Sequence, residues 1–179
     1  RTTFMKLKEL QLVNEKVKTL AEEEGKPFYY GRFIPKIVET INTQIMFVAE
    51  MPTYPSKKDK WDPEDNFFLT KSDLKFVKLL NRLGLDGCYI TDVVKICAPA
   101  GEPTDADLEI FKPLLLEEID ALKPKAIVSL GERTSKVLDR LDIQHTPIWH
   151  PSYPDRKNYD KGLWIEYENQ IRSLQARQS

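Results

Sequence analysis

Cysteine and histidine are scarce in this chain, with two of each among 179 residues. Cys88 and Cys97 are too few for a disulfide scaffold or a four-thiolate metal site, and two histidines add little to the case for a zinc centre. Glycine is sparse as well, at seven residues, and no phosphate-cradling fingerprint is present: Leu130-Gly-Glu-Arg133 has Gly131 alone, which reads as a turn. Long apolar runs are missing. Ile45 to Ala49 and Leu114 to Leu116 fall far short of the roughly 18 residues that a membrane span needs. The first residues lead into a charged helical repeat and not into the apolar core of a secretory signal. The expectation is an intracellular protein of the cytoplasm, nucleus or nucleoid, with no membrane partner. Nor does charge of one sign dominate: 27 basic against 28 acidic residues leave a formal net charge of -1. That balance neither advertises nucleic acid nor excludes it, because a local patch suffices for a small footprint.

What is present is a chain 41% hydrophobic and 10% aromatic, enough to bury one core. Leu7, Leu10, Leu12, Val13, Val17 and Leu20 recur at mostly helical spacing and predict an amphipathic helix over 4–24, ended by Gly25 and Pro27. Phe28, Tyr29, Tyr30 and Phe33 read as an aromatic connector that packs this helix down, and 34–41 stays ambiguous, a short second helix being one option. Strands are predicted at 44–49, 89–94 and 124–130, with a fourth ending at Trp149. Helices at about 70–83, 104–122, 132–141 and 158–176 alternate with them. Pro113 predicts a kink in the helix over 104–122, or a later start. The alternation predicts a three-layer α/β/α domain around a central, mainly parallel four-stranded sheet. Residues 1–179 then form one domain, with 1–40 as an N-terminal helical extension packed on it.

Parallel strands bring their C-terminal ends to one edge, where open α/β sheets bind ligands. Three such ends carry polar side chains: Glu50-Met-Pro-Thr-Tyr54, Asp92 to Cys97, and His150 to Arg156. At the last of these, Pro151 fixes its own φ and holds His150 extended, so the backbone aims the imidazole. A histidine there either donates to an oxygen that gains charge during a reaction or is merely part of a strand-exit turn. The long polar loop after residue 50 leads into Phe67 and Phe68, which are either core or an aromatic platform. An aromatic face, a carboxylate and an imidazole together suit a nucleobase stacked on phenylalanine and hydrogen-bonded at its edge. His145 and Trp149 read as bracing and packing residues.

Taken in order, several stretches resemble the uracil-DNA glycosylase superfamily, nearest to its thermostable iron-sulfur branch. They are Ala49-Glu-Met-Pro-Thr53, Asn66-Phe-Phe-Leu-Thr70, Tyr89-Ile-Thr-Asp-Val-Val-Lys95, the proline-containing loop at 99–103, Pro124 to Gly131, and His150-Pro-Ser152. The resemblance implies a hydrolase that flips a damaged base out of DNA and cuts its N-glycosidic bond, initiating base excision repair. On that reading His150 stabilises negative charge on the leaving base. The loop of Glu50, Met51, Pro52, Thr53 and Tyr54 holds a water and contacts the sugar, Phe67 in preference to Phe68 stacks on the base, and Asp92 reads its edge. Ser152, Tyr153, Arg156 and Lys157 grip the duplex, while Lys57, Lys58, Lys60, Lys95, Arg156 and Lys157 form a phosphate-contacting rim. The expected partner is DNA carrying a damaged base, bound by a monomer.

Departures from the branch carry their own expectations. Ala49 and Thr53 stand where it has glycines, so the backbone approaches the sugar less closely. Ser56 stands where it has an acidic residue, leaving Asp59 as a weak substitute for orienting water. Of its four-cysteine cluster only Cys97 falls near a ligand position, and Phe111 stands near another; an iron-free protein without a cofactor is expected. Asp92 replaces an asparagine that donates to O4 of uracil and accepts from N3–H. An ionised carboxylate only accepts, which implies an altered base preference, such as a deaminated purine, unless Asp92 is protonated. Two other classes stay open: a weak or inactive relative that binds DNA or a protein, and a nucleotide-binding domain or small-molecule hydrolase on another α/β scaffold.

Overall fold

The computed structural model describes residues 2–34, 40–55, 61–98, 101–156 and 161–178. Its elements run α1 (Thr3–Glu24), β1 (Arg32–Ile34), β2 (Ile45–Ala49), α2 (Lys71–Arg82), β3 (Cys88–Asp92), α3 (Asp105–Leu122), β4 (Ala126–Leu130), α4 (Glu132–Arg140), β5 (Thr146–Ile148), α5 (Tyr153–Arg156) and α6 (Lys161–Gln178). Local chemistry sets the boundaries. Thr70 and Thr104 each accept from the N–H three residues on, and Asp73 and Asp107 reach back to the cap N–H, closing a capping box at the start of α2 and of α3. A cap of this kind stabilises a helix by about 1 kcal/mol. Because Thr104 caps it, α3 starts at Asp105 and carries Pro113 inside, so the later start is not the outcome. Burial of Leu108, Phe111, Leu114 and Leu115 holds the helix together across the position where proline supplies no N–H.

The sheet has five strands in the order β1-β3-β2-β4-β5, which corrects the expected four. β2 to β5 are mutually parallel where they pair, and β1 runs antiparallel to β3. β1 lies inside the stretch read as a helical extension. It is three residues long and begins with an arginine that is buried, so neither alternation nor apolar content marks it as a strand.

Side chains of a strand alternate between faces, and β2 feeds two cores accordingly. Met46 and Val48 join Val13 and Val17 of α1, Phe111 and Leu115 of α3 and Leu138 of α4. Ile45, Phe47 and Ala49 join Phe76 and Leu80 of α2 and Tyr167 and Ile171 of α6. The sheet is thus covered on both sides, and its open boundary is the row of strand ends. No helix among the described residues is long and apolar enough to cross a membrane.

Candidate active site

The sheet register builds the site. Ala49 pairs with Asp92, and Leu130 with Ile148. Just beyond, Val93 N–H donates to Ala49 O at 2.8 Å, Val94 N–H to Glu50 O at 3.0 Å and Gly131 N–H to Ile148 O at 2.9 Å. The strand ends therefore carry Asp92, Glu50, Gly131 and His150 in that order along one edge. From β3 to β5 is three strand spacings, roughly 14 Å between backbones.

His150 is oriented by its own turn. Nδ1 lies 2.8 Å from Ser152 Oγ and accepts from Ser152 N–H at 3.1 Å. A ring nitrogen that accepts a backbone N–H carries no proton, so the proton of the neutral ring sits on Nε2. Burial lowers the His150 pKa; Asp73 opposes that effect and Arg156 adds to it. The result is a neutral imidazole presenting one N–H. Gly131 is what allows the ring to sit there: its φ is +94°, and a Cβ added to it would stand 3.3 Å from His150 Cβ. In sequence this glycine reads only as a turn.

Ser152, expected on the duplex, commits both its N–H and its hydroxyl to this ring. Tyr153 packs its ring on Trp149 at 4.7 Å between centroids. Arg156 is exposed at the end of α5, which is pinned through Asp155 to Ser72 Oγ (2.6 Å), Lys75 Nζ (2.8 Å) and Trp164 Nε1 (3.0 Å).

Asp92 is 2% exposed. Asn66 Nδ2 donates to its Oδ2 at 2.5 Å, and Asn66 Oδ1 accepts from Phe67 N–H at 3.1 Å. Burial raises the Asp92 pKa to about 7, against the opposing effects of Asn66 and Lys95. Asn66 was not singled out from sequence, although it stands in the same motif as Phe67. Arg32 was missed as well. Its guanidinium donates to Glu64 O at 2.9 Å and lies over the Phe68 ring, 3.7 Å from the centroid. One face of Phe68 is therefore occupied. Phe67 adopts a left-handed φ of 65° and packs among the second core, next to the residue that holds Asp92.

Lys95 requires a correction. It is fully buried, and Nζ lies 2.6 Å from Glu118 Oε1 and 2.7 Å from Asp92 O. Glu118 also accepts from Tyr89 OH at 2.6 Å and Thr91 Oγ1 at 3.0 Å. A buried carboxylate needs a cation, and Lys95 turns inward to supply it, so it cannot belong to a phosphate-contacting rim.

Glu50 meets Arg133 at 2.8 Å, and the same guanidinium group donates to Gly101 O at 3.1 Å. Burial raises the Glu50 pKa and Arg133 opposes it; the carboxylate braces the loops around 50 and 101. In the following loop Met51 packs against the first core and Pro52 is buried. Thr53 is exposed, and Tyr54 lines a groove of about 390 Å³ with Phe28 and Trp61. Lys57, Lys58, Lys60 and Lys157, like Ser56 and Asp59, lie outside the described residues. His145 is a brace, with Nδ1 2.9 Å from Ser129 Oγ and Nε2 2.8 Å from Asp139 Oδ1.

The residues present do not fit a four-thiolate cluster. Cys97 is buried, with its thiol pushed up to about 12 by burial; Cys88 lies within β3; and Phe111 is part of the first core. Among the described residues no group of three or more His, Cys, Asp or Glu is placed to hold a metal.

Residues 21–169 match the family model of the uracil DNA glycosylase superfamily. The chain is also similar to the type-4 uracil-DNA glycosylase of Sulfurisphaera tokodaii, being 32% identical over 100 residues, which cover 53% of this chain and 43% of that protein. The chain thus spans less than half of that relative's length.

Proposed function

Because this chain belongs to the uracil DNA glycosylase superfamily, we propose that it is a monofunctional DNA glycosylase, hydrolysing the N-glycosidic bond of a flipped, deaminated base without a metal or cluster. The observation that carries this reading is His150, whose Nδ1 is occupied by Ser152 and whose Nε2–H is left as a donor. As the bond from C1′ to the base nitrogen breaks, its electron pair moves onto the base and charge builds on an exocyclic oxygen. A neutral imidazole N–H donating to that oxygen strengthens its bond as the charge grows, which lowers the barrier. Water then bonds to C1′, and its proton leaves with the base or to solvent. The loop beginning at Glu50 borders the space for that water, while exposed Arg156 suits a phosphate of the strand.

Base release from single-stranded and duplex oligonucleotides carrying uracil, hypoxanthine or xanthine, read as strand scission after alkali, tests this. Release by the wild type that falls about 100-fold or more in His150→Ala supports it. Release that ignores His150→Ala sinks it.

One observation favours a second reading, a DNA-binding relative without chemistry: the Glu50 carboxylate is engaged by Arg133 and is not free to activate water. Duplex binding without base release from any of these substrates would select that reading.

A further inference from the structure

The strand end carries an aspartate at position 92, which when ionised offers no donor to an oxo base, and Asn66 stands against it with an amide. Three facts define the pair. Asn66 Nδ2 is 2.5 Å from Asp92 Oδ2, and both side chains are buried. The Phe67 N–H holds Asn66 Oδ1, which fixes the end of the amide that faces Asp92. The carbonyls of Glu64 and Asn66 are held in turn by the Arg32 guanidinium, at 2.9 and 3.5 Å. An amide nitrogen carries two hydrogens. One serves Asp92, and among the described residues the other has no acceptor; Oδ1 of Asp92 likewise has no protein donor.

We propose that Asn66 and Asp92 together form the reader of the base edge, Asn66 Nδ2 donating to an exocyclic oxygen and Asp92 Oδ1 accepting from the adjacent ring N–H, so that the site takes a deaminated base in preference to its amino parent, uracil over cytosine and hypoxanthine over adenine. This inference rests on the glycosylase reading of the same site. Uracil, hypoxanthine and xanthine all present a carbonyl beside a ring N–H, as thymine and guanine also do, so the pair separates oxo from amino bases and leaves rejection of thymine and guanine to the shape of the site. Cytosine and adenine present an amino group beside a bare ring nitrogen, which would set donor against donor and lone pair against carboxylate. A buried site whose polar groups go unpaired discriminates strongly, because each unmet group keeps its desolvation cost. Read alone, Asp92 repels the uracil carbonyl; paired with Asn66, it regains the donor and acceptor of a single amide, divided between two residues. Asn66 is thus a specificity-determining residue that no single-residue reading of position 92 would reveal.

The test is single-turnover release of uracil and of hypoxanthine by wild type, Asn66→Ala, Asp92→Asn and the double variant Asn66→Ala/Asp92→Asn, with thermal melts to confirm folding. Measured at pH 8, where Asp92 is ionised, loss of the amide in Asn66→Ala leaves an acceptor-only carboxylate, and both rates are expected to fall about 100-fold. Asp92→Asn in that background restores an amide at the strand end, and at least a tenfold recovery for uracil is expected; a merely structural Asn66 would show no such rescue. Should Asn66→Ala not fold, Asn66→Leu, which keeps the volume and drops the amide, takes its place. If the wild type releases uracil and Asn66→Ala stays within twofold of it, or the double variant is no faster than the single, the paired reader is overturned while the glycosylase reading stands. If the wild type releases no base from any duplex, both fall.

Discussion

Lys95 Nζ sits 2.6 Å from Glu118 Oε1 with neither side chain reaching solvent, and it also donates to the carbonyl of Asp92 at the end of β3. The pair ties α3 to the strand end on which Asp92, the proposed reader of the base, stands. Removing one partner strands a buried charge, so Lys95→Met should cost about 3–5 kcal/mol. Lys95→Met/Glu118→Leu should recover much of that. Urea unfolding of the two variants measures both. The salt dependence of DNA binding should not change in the double variant, because Lys95 meets no phosphate.

Ser152 holds His150 through two donors, and they are not equal in consequence. Ser152→Ala removes the hydroxyl and leaves the backbone N–H on Nδ1. Base release should fall less than tenfold in Ser152→Ala, against about 100-fold or more in His150→Ala. Equal losses would mean that the hydroxyl, and not the ring's N–H, carries the effect.

Gly131 is fitted to His150 from the neighbouring strand. In Gly131→Ala the new methyl meets His150 Cβ from a left-handed backbone, so stability should drop by about 1–3 kcal/mol. Base release should fall further than duplex affinity does, since the proposed role of the displaced group is toward the base and not the phosphates. Parallel measurement of melting, binding and single-turnover rate separates these effects.

Asp92 makes stability depend on pH in a stated direction. Its folded pKa of about 7 lies above the ordinary value of 3.8, chiefly through burial. The folded chain therefore holds a proton that the unfolded chain has released between those values. The stabilisation is complete below about pH 4 and is lost as pH rises through 7, by roughly 4 kcal/mol in all. Asp92→Asn should abolish that slope and be the more stable protein at pH 8, as denaturant midpoints at pH 5 and pH 8 would report.

Much of this architecture is legible from residue order. The apolar strands at 45–49 and 126–130, the threonines that cap α2 and α3, and the turn at His150 all follow from local chemistry that acts within a few residues. What escaped is non-local. A lysine next to a strand end reads as a surface charge until Glu118, 23 residues further on, is folded beneath it. Asn66 reads as loop polarity until β3 brings Asp92 against it. Arg32 hides a strand because its Nη1 donates to carbonyls more than 30 residues away, which no periodicity encodes.

The two outermost strands, β1 and β5, are three residues each, and β5 contains Pro147, which has no N–H to offer. An edge that brief gives a neighbouring molecule almost nothing to zip against, and proline interrupts what little there is. Crowding of many copies should therefore not seed sheet-to-sheet aggregates, even though the inner strands β2 and β3 are buried along their whole length.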